Sequence, residues 1–156
     1  NSRKKVPVDQ YLNSLSVVPV SISYEKDPND LLKARELYLT DLNQTYIKEP
    51  KEDLQSISDG ITGTKGNVSL SIGDKIKFDT DSYEICSDKI TKEIKNLYKP
   101  HATNIAAAII QGKNINQNTY SADDVDGAIE YLKNRMKTIP EDMHPYLLNQ
   151  YANPVL

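Results

Sequence analysis

Over residues 16–28, S-V-V-P-V-S-I-S-Y-E-K-D-P, side-chain character alternates with a period of two. Val18, Val20, Ile22 and Tyr24 fall on one face, and Val17, Pro19, Ser21 and Ser23 on the other. That period predicts a strand with unequal faces, the Val18 to Tyr24 face turned to a core. Pro19 has no N–H to give a ladder, so it belongs at the strand's start or where one neighbour is missing, and Glu25-Lys26-Asp27-Pro28 ends the strand in a charged turn. Open α/β sheets bind ligands beyond the C-terminal ends of their strands, which draws attention to that turn. The same alternation returns at 67–73, N-V-S-L-S-I-G, predicting a second strand with Val68, Leu70 and Ile72 on one face. Ile76 and Phe78 alternate with Lys75 and Lys77 and suggest a short, charge-protected edge strand.

Between and after these strands the period changes to that of a helix. Tyr11, Leu12 and Leu15 predict a short helix over 8–15. Leu31, Ala34, Tyr38 and Leu42 predict one that Asn29 or Asp30 would cap, and Leu54, Ile57 and Ile61 one that Gly60 or Gly63 would end. From residue 80 the pattern is helical throughout. Asp81 and Glu84 resemble a capping box ahead of the stripe Tyr83, Cys86, Ile90, Ile94 and Leu97, which Pro100 breaks. Thr103 would cap a helix whose stretch 105–110 is apolar on all sides and therefore central, ending at Gly112. Residues 113–120 are amide-rich and read as a mobile loop. Ser121 and Asp124 then open a helix with its acids near the start and Lys133, Arg135 and Lys137 near the end, as the helix dipole favours. Pro140 closes it, and a last short helix is expected over 141–148. The expected class is α/β, a few-stranded sheet (strands near 16–24 and 67–72) followed by a helical C-terminal half.

Composition narrows the partners. A net charge of −3 with Arg3-Lys4-Lys5 as the one basic run argues against nucleic acid, which needs clustered excess Lys and Arg. Cys86 stands alone, so no internal disulfide forms and a reducing compartment follows. The longest apolar run, 105–110, is far short of the roughly 20 residues a membrane crossing takes. The chain opens at Asn1 without an initiator Met, as a piece of something longer would.

Chemistry is scarcer than structure. His101 and His144 lack metal-ligand neighbours at useful spacing, and one cysteine cannot anchor zinc, so no metal is expected. Asp123, Asp124 and Asp126 lack the glycine and the late Glu of a calcium loop. Lys65 stands in the glycine-punctuated turn T-G-T-K-G, within reach of a phosphate, although G-x-x-x-x-G-K-[ST] is absent. His101 precedes a helix start, where anions bind.

V-V-P-V-S-I-S-Y-E resembles the fourth sequence motif of the glycerolipid acyltransferases, the group that includes bacterial glycerol-3-phosphate and 1-acylglycerol-3-phosphate acyltransferases. Three further stretches are similar to the C-terminal half of a bacterial subgroup: D-P-N-D-L-L-K-A-R-E-L-Y, then E-D-L-Q-S-I-S-D-G-I-T-G-T-K-G-N-V-S-L-S-I-G, and the closing H-P-Y-L-L-N-Q-Y-A-N-P-V. The resemblance implies transfer of a fatty acyl group from acyl-CoA or acyl carrier protein to a glycerophosphate hydroxyl, with those donors as co-substrates and no cofactor. It also implies that residues 1–79 end an α/β acyltransferase domain and that 80–156 form a helical extension. Pro19, Val20, Ile22 and Tyr24 would wall the active-site region, Glu25 would lie where phosphate and thioester meet, and Lys65 and His101 are further candidates for the phosphate. The family's base and phosphate grip, His-x4-Asp and an E-G-T-R-like motif, precede the fourth motif. Here Ala106 and Asn149 stand where an Asp would have to follow His101 and His144, and no E-G-x-R occurs. No catalytic residue is therefore expected in this chain, and its first partner would be a missing N-terminal catalytic half. A cytoplasmic setting, peripheral contact with the inner face of the membrane, and a homodimer formed through an incomplete sheet are further expectations. The rival reading is a self-standing α/β module that binds protein or lipid without catalysis.

Overall fold

The structure is a computed structural model and describes residues 6–115 and 121–156. In order it runs α1 (Val8–Ser14), β1 (Val20–Tyr24), α2 (Asp30–Asn43), α3 (Glu52–Thr62), β2 (Val68–Ile72), α4 (Tyr83–Leu97), α5 (Ala102–Ile110), α6 (Ala122–Met136) and α7 (His144–Ala152). Single 3-10 turns precede and follow α7. A two-stranded antiparallel sheet early in the chain and a largely helical second half make a mixed α/β protein, the class its periodicities imply. The loop expected at 113–120 lies partly outside the described residues.

The chain packs into two compact units, one of Asn1–Ser23 with Ser69–Lys99, the other of Tyr24–Val68 with Pro100–Leu156. This is not the division at residue 79 that the family resemblance suggests. Residues on both sides of that point share one small core, Val8, Ile76, Phe78 and Cys86, with Leu12, Val17 and Ile90 against it. Asn13 ties the two sides further, its amide donating to the Phe78 carbonyl at 2.8 Å and accepting the Phe78 N–H at 3.0 Å. Asp81 does not cap α4. Its carboxylate accepts the Val8 N–H at 2.6 Å, and Ser82 is the N-cap, accepting from the Ile85 N–H.

The strands pair in a register fixed by two bonds, Glu25 N–H to Asn67 O at 2.9 Å and Gly73 N–H to Pro19 O at 3.0 Å. Val20 therefore lies opposite Ile72, Ile22 opposite Leu70, and Tyr24 opposite Val68. The next bond, Ile76 N–H to Val17 O at 2.9 Å, advances three residues on one chain and two on the other. The extra residue acts as a β-bulge and reverses which side chains point inward. Ile76 and Phe78 turn into the core, while Lys75 and Lys77 turn out on the side of Leu70 and Ile72. The short edge strand expected at 76–78 does not form; the segment is extended and held by burial of its two apolar side chains.

The faces of β1 are the reverse of the sequence expectation. Pro19, Ser21 and Ser23 are buried, whereas Val18, Val20, Ile22 and Tyr24 are exposed, and along β2 Val68, Leu70 and Ile72 are exposed too. Proximity decides it. Ser23 Oγ donates to the Lys99 carbonyl at 2.7 Å, and a Cβ on Gly73 would meet Pro19 Cγ at 2.8 Å and Leu97 Cδ1 at 2.9 Å. The last turn of α4 lies so close to this face that only small side chains fit beneath it, and the large ones take the other side.

In the second unit α5 is the centre, as its all-apolar stretch predicts, with Ala106, Ala107 and Ala108 fully buried. Alanine lets α6 and α7 approach closely, and Ala34, Leu132, Leu147, Leu148 and Tyr151 complete the core. Gly112 ends α5 in the left-handed region at φ +69°. Ser121 caps α6 as expected, its Oγ accepting the Asp124 N–H. In contrast, Leu54, Ile57 and Ile61 of α3 and Leu42 of α2 are exposed, not packed as their spacing suggests.

Candidate functional site

The charged turn after β1, read from the sequence as the place to look, is the most densely bonded part of the second unit. Asp27 Oδ1 accepts the Asn29 N–H at 2.8 Å, an Asx turn that starts α2 and puts Asp30 at the helix's first position, where the sequence suggests a cap. Asp30 is fully buried. Its carboxylate receives the Arg135 guanidinium through Nε at 3.2 Å and through Nη2, and the Tyr151 hydroxyl at 2.8 Å. The same hydroxyl accepts the Asp27 N–H at 3.0 Å. Gln150 donates to the Asp30 carbonyl at 3.1 Å, so α2, α6 and α7 are joined through one residue.

The titrations follow from this burial. Burial, then the neighbouring Asp30 charge, pushes the Tyr151 hydroxyl far above the ordinary tyrosine range, and Tyr131 is raised by the same two causes in the same order. Burial would lower Arg135, but its hydrogen bond and charge contact with Asp30 carry the guanidinium above its usual value. Arg135 is therefore a permanent cation whose two bonds are spent on one carboxylate.

Beside this cluster lies a cleft of about 430 Å³, lined among others by Lys26, Asp59, Gly63, Tyr131 and Arg135. The Lys26 ammonium sits 5.0 Å from the Tyr131 ring centroid, a cation–π contact. Asp59 accepts from the Gln55 amide at 2.7 Å. Both signs of charge line the cleft, so it suits a small polar group, while apolar space of about 450 Å³ lies apart between Leu31, Leu32, Tyr38, Leu39, Ile139 and Met143.

The residues singled out from the sequence go to different places. Glu25 Oε2 accepts the Asn67 N–H at 2.8 Å, and the carboxylate fills the space over Gly66, whose φ is +64° and whose Cβ would lie 2.5 Å from that oxygen. Its backbone carbonyl accepts from Thr103 Oγ1 at 2.5 Å. Glu25 thus closes a turn. Lys65 donates to the carbonyls of Ile61 and Gly63 at 3.5 and 3.2 Å, closing the C-terminal end of α3. His101 is buried as the N-cap of α5, its N–H donating to Asn104 Oδ1 at 2.6 Å. Thr103, expected as that cap, is the second residue of the helix. Pro19 is buried in the first unit, and Val20 and Ile22 point outward there. The sequence does not announce Asp30, Arg135, Tyr131 and Tyr151 as a set, since Asp30 is separated from the other three by about a hundred residues or more; the one available signal is an aspartate just inside a helix whose stripe is apolar. Among the described residues no group of three His, Cys, Asp or Glu side chains could hold a metal, and no helix is long and apolar enough to cross a membrane.

Comparison with family models, curated proteins and solved structures finds no match to the chain. Function is therefore read from the site and from the resemblance of its four stretches.

Proposed function

We propose that the chain is the non-catalytic C-terminal portion of a bacterial phospholipid-synthesising acyltransferase, one that passes a fatty acyl group from acyl-CoA or acyl carrier protein to a glycerophosphate hydroxyl. One observation carries the reading: residues of all four stretches that resemble the family bond one another within the second unit, although most of the first stretch lies in the other. Glu25 of the first bonds Asn67 of the third, and Asp27 and Asp30 of the second bond Tyr151 of the last. Their polar groups satisfy one another, which is what a supporting scaffold requires and what a reaction centre does not. Acyl transfer needs a base to take the hydroxyl proton as oxygen attacks the thioester carbonyl, donors for the developing oxyanion, and cations for the phosphate. In this reading all three come from a catalytic portion bearing His-x4-Asp and E-G-x-R, and the protein works in the cytoplasm against the inner face of the membrane.

The test is an acyl-transfer assay with acyl-CoA and glycerol 3-phosphate or its 1-acyl derivative. The chain alone is expected to give no turnover, and the chain joined to the upstream part of its reading frame to give it. Turnover by the chain alone, or an upstream frame without the two motifs, overturns the proposal. The rival module reading draws on the outward apolar face of the first unit and differs in one readout, association with a partner without acyl transfer.

A further inference from the structure

In the first unit α1, α4 and the extended segment after β2 border a cleft of about 510 Å³, lined by Asn13, Lys75, Lys77, Phe78, Asp79 and Lys89. One wall is fixed: the Asn13 amide holds both backbone polar groups of Phe78, at 2.8 and 3.0 Å, and the Phe78 ring is buried. Two of the three ammoniums are held in place by neutral oxygens. Lys89 Nζ donates to the Lys77 carbonyl at 2.7 Å, and Lys75 Nζ donates to Ser16 Oγ at 2.9 Å. Each keeps donors to spare, since an ammonium has three. Among the described residues no carboxylate pairs with any of the three lysines, although acids outnumber Lys and Arg in the chain by 22 to 19. Asp79 is the one acid that lines the cleft, so the lining carries an excess of two positive charges. Asp74 does not line it, and counting that residue as well still leaves the excess positive.

We infer that this cleft binds a phosphate group, carried by a soluble phosphorylated compound or by a lipid headgroup. Like charges gathered around one space repel one another, and a bound anion removes that repulsion. A cleft lined mainly by one sign of charge focuses its field on small counter-ions, and lysine serves phosphate oxygens as a compact point charge. An excess of two matches the dianion of a phosphate monoester near neutral pH, whereas a carboxylate would leave one charge unmatched. The Asn13 amide is occupied by Phe78 and adds no competing acceptor. The inference stands on this cleft alone and does not rest on the acyltransferase reading.

Amide NMR of the isotope-labelled chain, titrated with inorganic pyrophosphate at constant ionic strength, tests it. The amides of Asn13, Lys75, Lys77 and Lys89 are expected to shift and to saturate together. Lys75→Gln with Lys89→Gln should weaken binding about tenfold or more, the loss that follows from removing charged hydrogen bonds. Lys77→Gln, at an exposed position, should weaken it severalfold and reads the site independently should the double variant fail to fold by circular dichroism. Lys51→Gln with Lys113→Gln removes the same charge from exposed positions of the second unit and should leave the affinity unchanged. The second arm is sedimentation with phosphatidylcholine vesicles carrying either phosphatidic acid, a phosphate monoester, or phosphatidylglycerol, a diester. Sedimentation with the monoester vesicles alone, lost in Lys77→Gln, assigns the phosphate to a headgroup. Saturable pyrophosphate binding without sedimentation assigns it to a soluble compound. Shifts that grow without saturating, an affinity that falls equally in the two double variants, or no response in either arm overturns the inference.

Discussion

Tyr151 shows how one side chain sets the pH range of the second unit. Its hydroxyl both donates to the buried Asp30 carboxylate and accepts the Asp27 N–H. Hydrogen bonds to charged groups contribute about 1.5–3 kcal/mol, so Tyr151→Phe should lower stability at neutral pH by about that much, read by urea unfolding. The alkaline side follows by linkage. An unfolded tyrosine loses its proton near pH ~10, whereas burial and the Asp30 charge hold the proton on Tyr151 well above that. Above pH ~10 the unfolded state thus binds fewer protons than the native one, and stability falls as pH rises. The contribution is complete below that pH and is lost above it. Tyr131 shifts in the same direction, so Tyr151→Phe should flatten the alkaline decline without abolishing it. Parallel pH profiles for the two proteins would refute the assignment.

At the level of elements, β1 separates what periodicity determines from what it leaves open. Alternation correctly placed a strand at Val20–Tyr24 and another at Val68–Ile72, because a period of two has no helical counterpart. It then assigned the wrong face to the core. Burial is decided by what lies across the gap, and the last turn of α4, some seventy-five residues further along the chain, leaves room only for Ser21, Ser23 and Pro19. Glu25, Lys65 and His101 stand out in the sequence by type and position; that each closes a turn or a helix end is visible only in the fold. What was legible was local: the caps at Ser121 and Gly112 and the all-apolar α5. The Asp30 cluster was not, because nothing near Asp30 in sequence announces Arg135 or Tyr151. The reversed face makes a direct prediction. Ser21→Val overfills a buried site and should cost about 1–3 kcal/mol in the isolated chain, while Ile22→Thr, at a side chain half exposed, should stay within about 0.5 kcal/mol. If the isoleucine change proved the costlier of the two, the outward assignment of that face would be untenable.

Across the whole molecule the two units differ in how much they enclose. The second buries α5 on all sides, together with Leu132, Leu147, Leu148 and Tyr151, and adds the fully buried Asp30 with its three donors. The first has a smaller apolar core, Val8, Ile76, Phe78 and Cys86, and its Val20, Ile22, Leu70 and Ile72 side chains are exposed. Amide exchange under native conditions reads local opening, and protection rises with the apolar surface an element must expose in order to open. The amides of α5 and α7 are accordingly expected to exchange most slowly, near the limit set by global unfolding. Those of β1, β2 and α4 should open at lower free energy, and α3, with Leu54, Ile57 and Ile61 exposed, should exchange fastest of the longer helices. Protection of β1 equal to that of α5 would overturn this ranking, because a strand with one exposed face would then open no more easily than a buried helix.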